Sequence, residues 1–185
     1  MPSAEIITIG TELLLGEIQD TNTRYLARFL RDLGVDLYRT TTVGDNEERI
    51  AQVIRESMQR CNIVISTGGL GPTVDDPTRA SVARALGVPT EFRPELWEQI
   101  QARFTRYGRT PSENNRRQAY IPAGTIPVEN PVGTAPCFIA EVGACSIICL
   151  PGVPREMEHL MQNSILTYLR EHFALRGTIK ARVLH

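Results

Sequence analysis

Residues 66–80 read STGGLGPTVDDPTRA and follow the apolar run Ile63-Val64-Ile65 without a break. An apolar run with no polar alternation reads as a strand buried on both faces. Gly68, Gly69 and Gly71 then supply a backbone that tolerates positive φ and close approach. Asp76-Pro77 reads as a helix start, with Asp at the N-cap and Pro at the first helical position. That helix runs Pro77–Leu86 and stops at Gly87. Strand, glycine turn and helix in this order make the unit of a parallel α/β sheet.

Working outward, the same unit recurs. Ala4–Ile9 is a buried strand ending at Gly10. In the helix from Asp20 to Leu33, Leu26, Phe29, Leu30 and Leu33 fall at i, i+3, i+4 and i+7, and Gly34 stops it. A β-rich stretch at Val35–Val43 precedes a helix from Asn46 to Arg60, which carries Ile50, Val53, Ile54 and Met58 on one face. Pro94–Tyr107 is a further helix. Residues 109–135 read as irregular, with one short strand near Ala119–Ile121. Cys137–Val142 and Cys145–Leu150, joined by Gly143-Ala144, form a hairpin, and Pro154–His172 is the last helix. Thr178–Leu184 is strand-like. The expected fold class is α/β, three layers (α/β/α), with a mostly parallel sheet and an antiparallel hairpin. Residues 1–172 form one domain, and 173–185 are an extension or the start of a further domain.

Composition narrows function. The 185 residues carry a net charge of −1 and 22% charged residues, with no Lys/Arg-rich block, which argues against a nucleic-acid partner. No apolar run reaches bilayer length and the amino terminus does not read as a signal peptide, so no membrane partner is expected. Cys61, Cys137, Cys145 and Cys149 form no CxxC pair and read as buried thiols of a reducing compartment, placing the chain in the cytoplasm.

In parallel sheets ligands bind outside the carboxyl ends of the strands, where the glycine motif stands. Its backbone N–H groups suit a phosphate. Neither the P-loop nor the GxGxxG spacing fits. Adjacent Asp75 and Asp76 exceed what a helix cap needs and suit Mg²⁺ held by one or two carboxylates plus substrate phosphates. Asp45 reads first as a cap of the second helix, with Glu48 completing a capping box, and second as a further metal carboxylate. Glu12 follows the first strand and reads as a solvated loop acid or a general base. Asn130, Gly133 and Thr134 lie in a small-residue loop. Pro151-Gly152-Val153-Pro154 is a second glycine-bearing strand-to-helix turn, and parallel topology brings both turns to one sheet edge. Glu156 reads as a first-turn acid favoured by the helix dipole.

GTELLLG, VGDNEERI, STGGLGPTVDDPT, NNRRQAYIP, NPVGTAP and LPGVPREM together resemble the amino-terminal domain of the CinA (competence/damage-inducible protein A) family, of the molybdopterin-binding, MoaB/MogA-like superfamily. The resemblance implies a self-associating subunit with a nucleotide or pterin pocket. In longer members a carboxy-terminal nicotinamide-nucleotide deamidase domain follows. It also implies metal-dependent hydrolysis of ADP-ribose to AMP and ribose 5-phosphate; the alternatives are a non-catalytic molybdopterin or nucleotide module, or molybdopterin adenylylation. The family's metal or catalytic acids fall on Asp45 and Asp76, its glycine motif on Thr67 to Thr73, and the second half of its pocket on Asn130, Gly133 and Gly152. On this reading Asp45, Asp75 and Asp76 hold a divalent metal such as Mg²⁺, Glu12 is the general base, and Arg116 or Arg117 clamps a distal phosphate. One position departs: Cys137 stands where the family's motif carries glycine.

Overall fold

The computed structural model describes residues 1–175. In chain order the elements are β1 (Ser3–Ile9), α1 (Thr11–Leu14), α2 (Thr21–Asp32), β2 (Asp36–Val43), α3 (Glu47–Met58), β3 (Ile63–Thr67), α4 (Thr78–Leu86), β4 (Thr90–Phe92) and α5 (Pro94–Arg106). Then follow α6 (Glu113–Arg116), β5 (Tyr120–Pro122), β6 (Ile126–Val128), β7 (Cys137–Val142), β8 (Cys145–Leu150), α7 (Pro154–Leu160) and α8 (Leu166–His172). A π-helical stretch, Met161–Ile165, joins α7 to α8, so the last helix is a single rod with one wide turn.

Six strands form the main sheet in the order β2-β1-β3-β8-β7-β6. β2, β1, β3 and β8 run parallel, while β7 and β6 alternate antiparallel beyond them. Side chains alternate between the faces and make two cores. Ala4, Ile6, Ile63 and Ile65 pack with Leu26, Leu30, Met157 and Leu160 of α2 and α7. Ile7, Ile9 and Val64 pack on the other face with Ile50, Ile54, Val82 and Ile100 of α3, α4 and α5. This is the three-layer α/β/α arrangement expected from the buried apolar strands.

Register sets the site. Ile9 pairs with Val43, Thr8 with Thr67, and Thr67 with Leu150. The carboxyl ends of β1, β2, β3 and β8 are therefore level, and the loops that leave them open on one edge.

Two helix starts differ from expectation. Asn46, not Asp45, caps α3: its side chain accepts from the Arg49 N–H at 3.0 Å. Asp45 sits one residue too early to reach that amide. It accepts instead from the Thr11 N–H at 2.8 Å, and its own N–H donates to Thr11 Oγ1 at 3.0 Å. Asp76 does not cap α4 either, because its carboxylate turns back to the Thr73 N–H (2.8 Å) and hydroxyl (2.6 Å). The segment 109–135 is also more ordered than its composition suggested. Ser112 and Asn115 form a capping box for α6, β5 pairs with β4, and β6 pairs with β7. Such three-residue pieces give no periodicity to read. Thr178–Leu184 lies outside the described residues. No described helix is long and apolar enough to cross a membrane. The four cysteines are buried free thiols.

Candidate functional site: a cleft at the carboxyl ends of the parallel strands

A cleft of about 570 Å³ opens on this edge. It is lined by Glu12, Asp45, Thr67, Gly68, Gly69, Gly71, Thr73, Asp75, Asp76, Thr134 and Gly152, so most residues singled out from the sequence meet there. Its size suits a small-molecule ligand.

The β3–α4 turn forms one wall. Gly68 has φ 106° and Gly69 φ 64°, both in the left-handed region that glycine enters freely. A Cβ on Gly68 would run into the Ile9 carbonyl oxygen, so β1 and this turn are in contact through bare backbone. Every carbonyl of the turn is held from α4. The Thr78 hydroxyl donates to Gly68 O at 2.7 Å and the Thr78 N–H to Gly69 O at 3.1 Å. The Arg79 guanidinium donates to Leu70 O at 2.8 Å and Gly71 O at 2.6 Å. Gly68 N–H donates to Leu150 O. The N–H groups of Gly69, Leu70 and Gly71 have no protein acceptor among the described residues.

The β8–α7 turn forms the facing wall. Gly152 lies so close that its Cβ would sit 3.2 Å from Gly68 Cα. Thr67 Oγ1 donates to Pro151 O at 2.9 Å. Asn22 of α2 spans both turns, its amide donating to Thr67 Oγ1 and to Gly152 O, each at 2.9 Å. The Asn22 carbonyl oxygen is buried and has no partner among the described residues, which leaves a ready acceptor beside the cleft it lines.

Asn130 and Gly133 are not in the cleft wall. They build the seat of Glu156, which is. The Asn130 amide donates to Glu156 Oε2 at 2.6 Å, while its carbonyl accepts from Val132 N and Gly133 N. The Glu156 carboxylate fills the space a Gly133 side chain would take. Burial pushes the Glu156 carboxyl above its ordinary value, against the lowering effect of the Asn130 hydrogen bond. Arg117 lies outside this cleft. It lines an adjoining hollow of about 470 Å³ with Asp45, Asp76, Arg79 and Tyr120. Cys137 begins β7 and is fully buried in the core against α2 and α7; it is not a cleft residue.

Asp45 and Asp76 each use Oδ2 in the hydrogen bonds above, and neither Oδ1 has a protein partner among the described residues. Asp75 is exposed on the same wall. Among the described residues no three His, Cys, Asp or Glu side chains cluster as a ready-made cage. The donor set suits a hard cation that takes its other ligands from phosphate and water, the usual habit of Mg²⁺.

Sequence reasoning missed Asn22 and Arg79 and gave Glu156 only a dipole role. Asn22 carries no signal in its spacing. Arg79 had one: a cation in the first turn of a helix opposes the helix dipole.

Comparison with known proteins agrees with this architecture. A family model described as a probable molybdopterin binding domain matches residues 5–171. A CinA-like protein of Parasynechococcus marenigrum is 45% identical over 181 residues, which cover 97% of this chain and 43% of the relative. A putative competence-damage inducible protein of Halothermothrix orenii is 45% identical over 168 residues, 91% of this chain and 41% of the relative. The chain thus spans 41% to 43% of the length of these curated relatives. Among solved structures, a protein CinA of unknown function from Thermoplasma acidophilum aligns with TM-score 0.83 and 35% identity, covering 90% of this chain and 97% of that one. MoaB, a molybdopterin biosynthesis enzyme of Thermus thermophilus, aligns with TM-score 0.64 at 17% identity over 97% of this chain and 100% of that one, a likeness of fold alone. The chain belongs to the CinA family and carries its probable molybdopterin binding domain.

Proposed function

We propose that the cleft binds a phosphate-bearing pterin or nucleotide, with a phosphate on the Gly68–Gly71 turn. One observation carries this reading: all four carbonyls of the turn are held from behind while three successive N–H groups are left without protein acceptors. Successive free donors in a glycine turn suit an anion. The unpartnered Asn22 oxygen and Glu156 supply acceptors for N–H groups of a ring. The description of the matching family as molybdopterin binding supports a pterin there. Calorimetric titration with AMP, ADP-ribose and a pterin phosphate tests it. Binding competed by inorganic phosphate is expected; indifference to phosphate overturns it.

A second reading is hydrolysis of ADP-ribose to AMP and ribose 5-phosphate in the same cleft. The spare Oδ1 atoms of Asp45 and Asp76 favour it. With Asp75 they would hold Mg²⁺, which when bound neutralises phosphate charge and acidifies a water. Glu12, whose carboxylate curls over Gly10 and lines the cleft, would accept the proton of the attacking water. The partly exposed Asp76 contributes little packing. Asp76→Ala is therefore expected to cut AMP release about 100-fold or more and to spare metal-free binding. Turnover that survives Asp76→Ala rules this reading out.

A further inference from the structure

Arg79 is the second residue of α4 and is 6% exposed. Its only hydrogen-bond acceptors among the described residues are the Leu70 and Gly71 carbonyls, and no carboxylate pairs with it there. Burial lowers its pKa to about 10, with the charge of Asp76 acting the other way. It remains a cation at neutral pH. A buried guanidinium without a paired acid is costly, and its place in a first helical turn adds to the cost. Neutral carbonyls satisfy its N–H groups but do not balance its charge.

The trans peptide turns each carbonyl and the following N–H in opposite directions. Holding Leu70 O behind the turn therefore aims the Gly71 N–H the other way. Thr78 does the same for the Gly69 and Leu70 N–H groups by holding Gly68 O and Gly69 O. The Gly71–Pro72 peptide has no N–H to aim, so the second arm of the fork only fixes the turn. Lysine, a point charge on a flexible stem, has no such fork.

We propose that Arg79 is the positioning residue of the phosphate cradle and gives the cradle its preference for a doubly charged over a singly charged phosphate. This rests on the reading of the cleft as a phosphate site. The anion completes a charge balance that the folded protein leaves open, and the second negative charge adds to that attraction. Arg79 acts through the turn and through its field.

The test uses the 185-residue protein and two small probes that carry no ring: methyl phosphate, doubly charged at pH 8, and dimethyl phosphate, singly charged throughout. Ligand-observed NMR gives both dissociation constants for wild type, Arg79→Gln and Arg79→Lys, with thermal melts to confirm folding. Wild type is expected to favour methyl phosphate by about tenfold or more. Arg79→Gln brings the ratio toward one. Arg79→Lys weakens both probes but keeps the ratio; if the Gln variant does not fold, Arg79→Met, which also removes the charge, takes its place with the same fall of the ratio toward one expected. If wild type binds methyl phosphate and both variants weaken the two probes equally, with the Lys and Gln ratios alike, Arg79 is merely structural and this proposal falls alone. If wild type binds neither probe, the phosphate reading of the cleft falls with it.

Discussion

The two glycine-bearing turns face each other across one cleft, yet they are built differently. In the β3–α4 turn, glycines occur at positions 68, 69 and 71, two with positive φ, and the carbonyls point back to Thr78 and Arg79. In the β8–α7 turn, Pro151 and Pro154 flank Gly152 and Val153, so two of its residues have no N–H at all. The carbonyls of Leu150, Pro151 and Gly152 are given to Gly68, Thr67 and Asn22. The first turn exports donors; the second braces the first and starts the helix that carries Glu156. A glycine after a strand is thus no guide to free backbone donors by itself. Where the neighbouring carbonyls are tied is what distinguishes the two.

The largest expected difference comes from putting a methyl on each turn. In Gly68→Ala the new Cβ strikes the Ile9 carbonyl oxygen, and φ of 106° is unfavourable for alanine. A cost of about 3 kcal/mol or more is expected, with loss of ligand binding. In Gly152→Ala the Cβ meets Gly68 Cα at 3.2 Å with no positive φ, so a cost of about 1 kcal/mol is expected. Urea unfolding of both variants checks this. Equal costs would break the contrast between a strained turn and a braced one.

Next in size is the tie between the turns. Asn22→Ala leaves Thr67 Oγ1 and Gly152 O without their amide donor. A loss of about 1–3 kcal/mol is expected. The same change removes the unpartnered Asn22 oxygen, so ring-bearing ligands should weaken more than inorganic phosphate does. Equal weakening of both would assign Asn22 to bracing alone.

The layered fold was legible because buried parallel strands are continuous apolar runs, as in Ile63–Ile65, and because Gly34 and Gly87 mark helix ends. Meeting of the glycine turns followed from parallel topology alone. The acids were harder. Asp45 and Asp76 each sit beside a helix start, where a one-residue shift in the cap decides whether the carboxylate serves the helix or the cleft. That shift lies below the resolution of sequence patterns. Arg79 carried only the signal of a cation misplaced in a first helical turn, and Glu156 was unreadable for another reason: its role depends on burial created by a loop far away in the chain. Asn130 lies 26 residues from the Glu156 it holds.

The smallest predicted effect concerns that acid. Burial holds the Glu156 carboxyl above 4.5, its ordinary value, in the folded protein. The folded state therefore keeps this proton more tightly than the unfolded chain does. Its contribution to stability is fully present below the unfolded pKa and is lost as pH rises through the folded one. Glutamine does not titrate, and its carbonyl can still accept from the Asn130 amide. Relative to wild type, Glu156→Gln should accordingly gain stability as pH rises from about 4 toward neutrality, read as the difference in urea midpoints at each pH. Unlike a change in the β3–α4 turn, it should leave methyl phosphate binding intact, because Glu156 faces the cleft from the other wall. A pH-independent difference would mean that Asn130 compensates the burial fully. The seat formed by Asn130 and Gly133 would then be built for a carboxylate that stays charged.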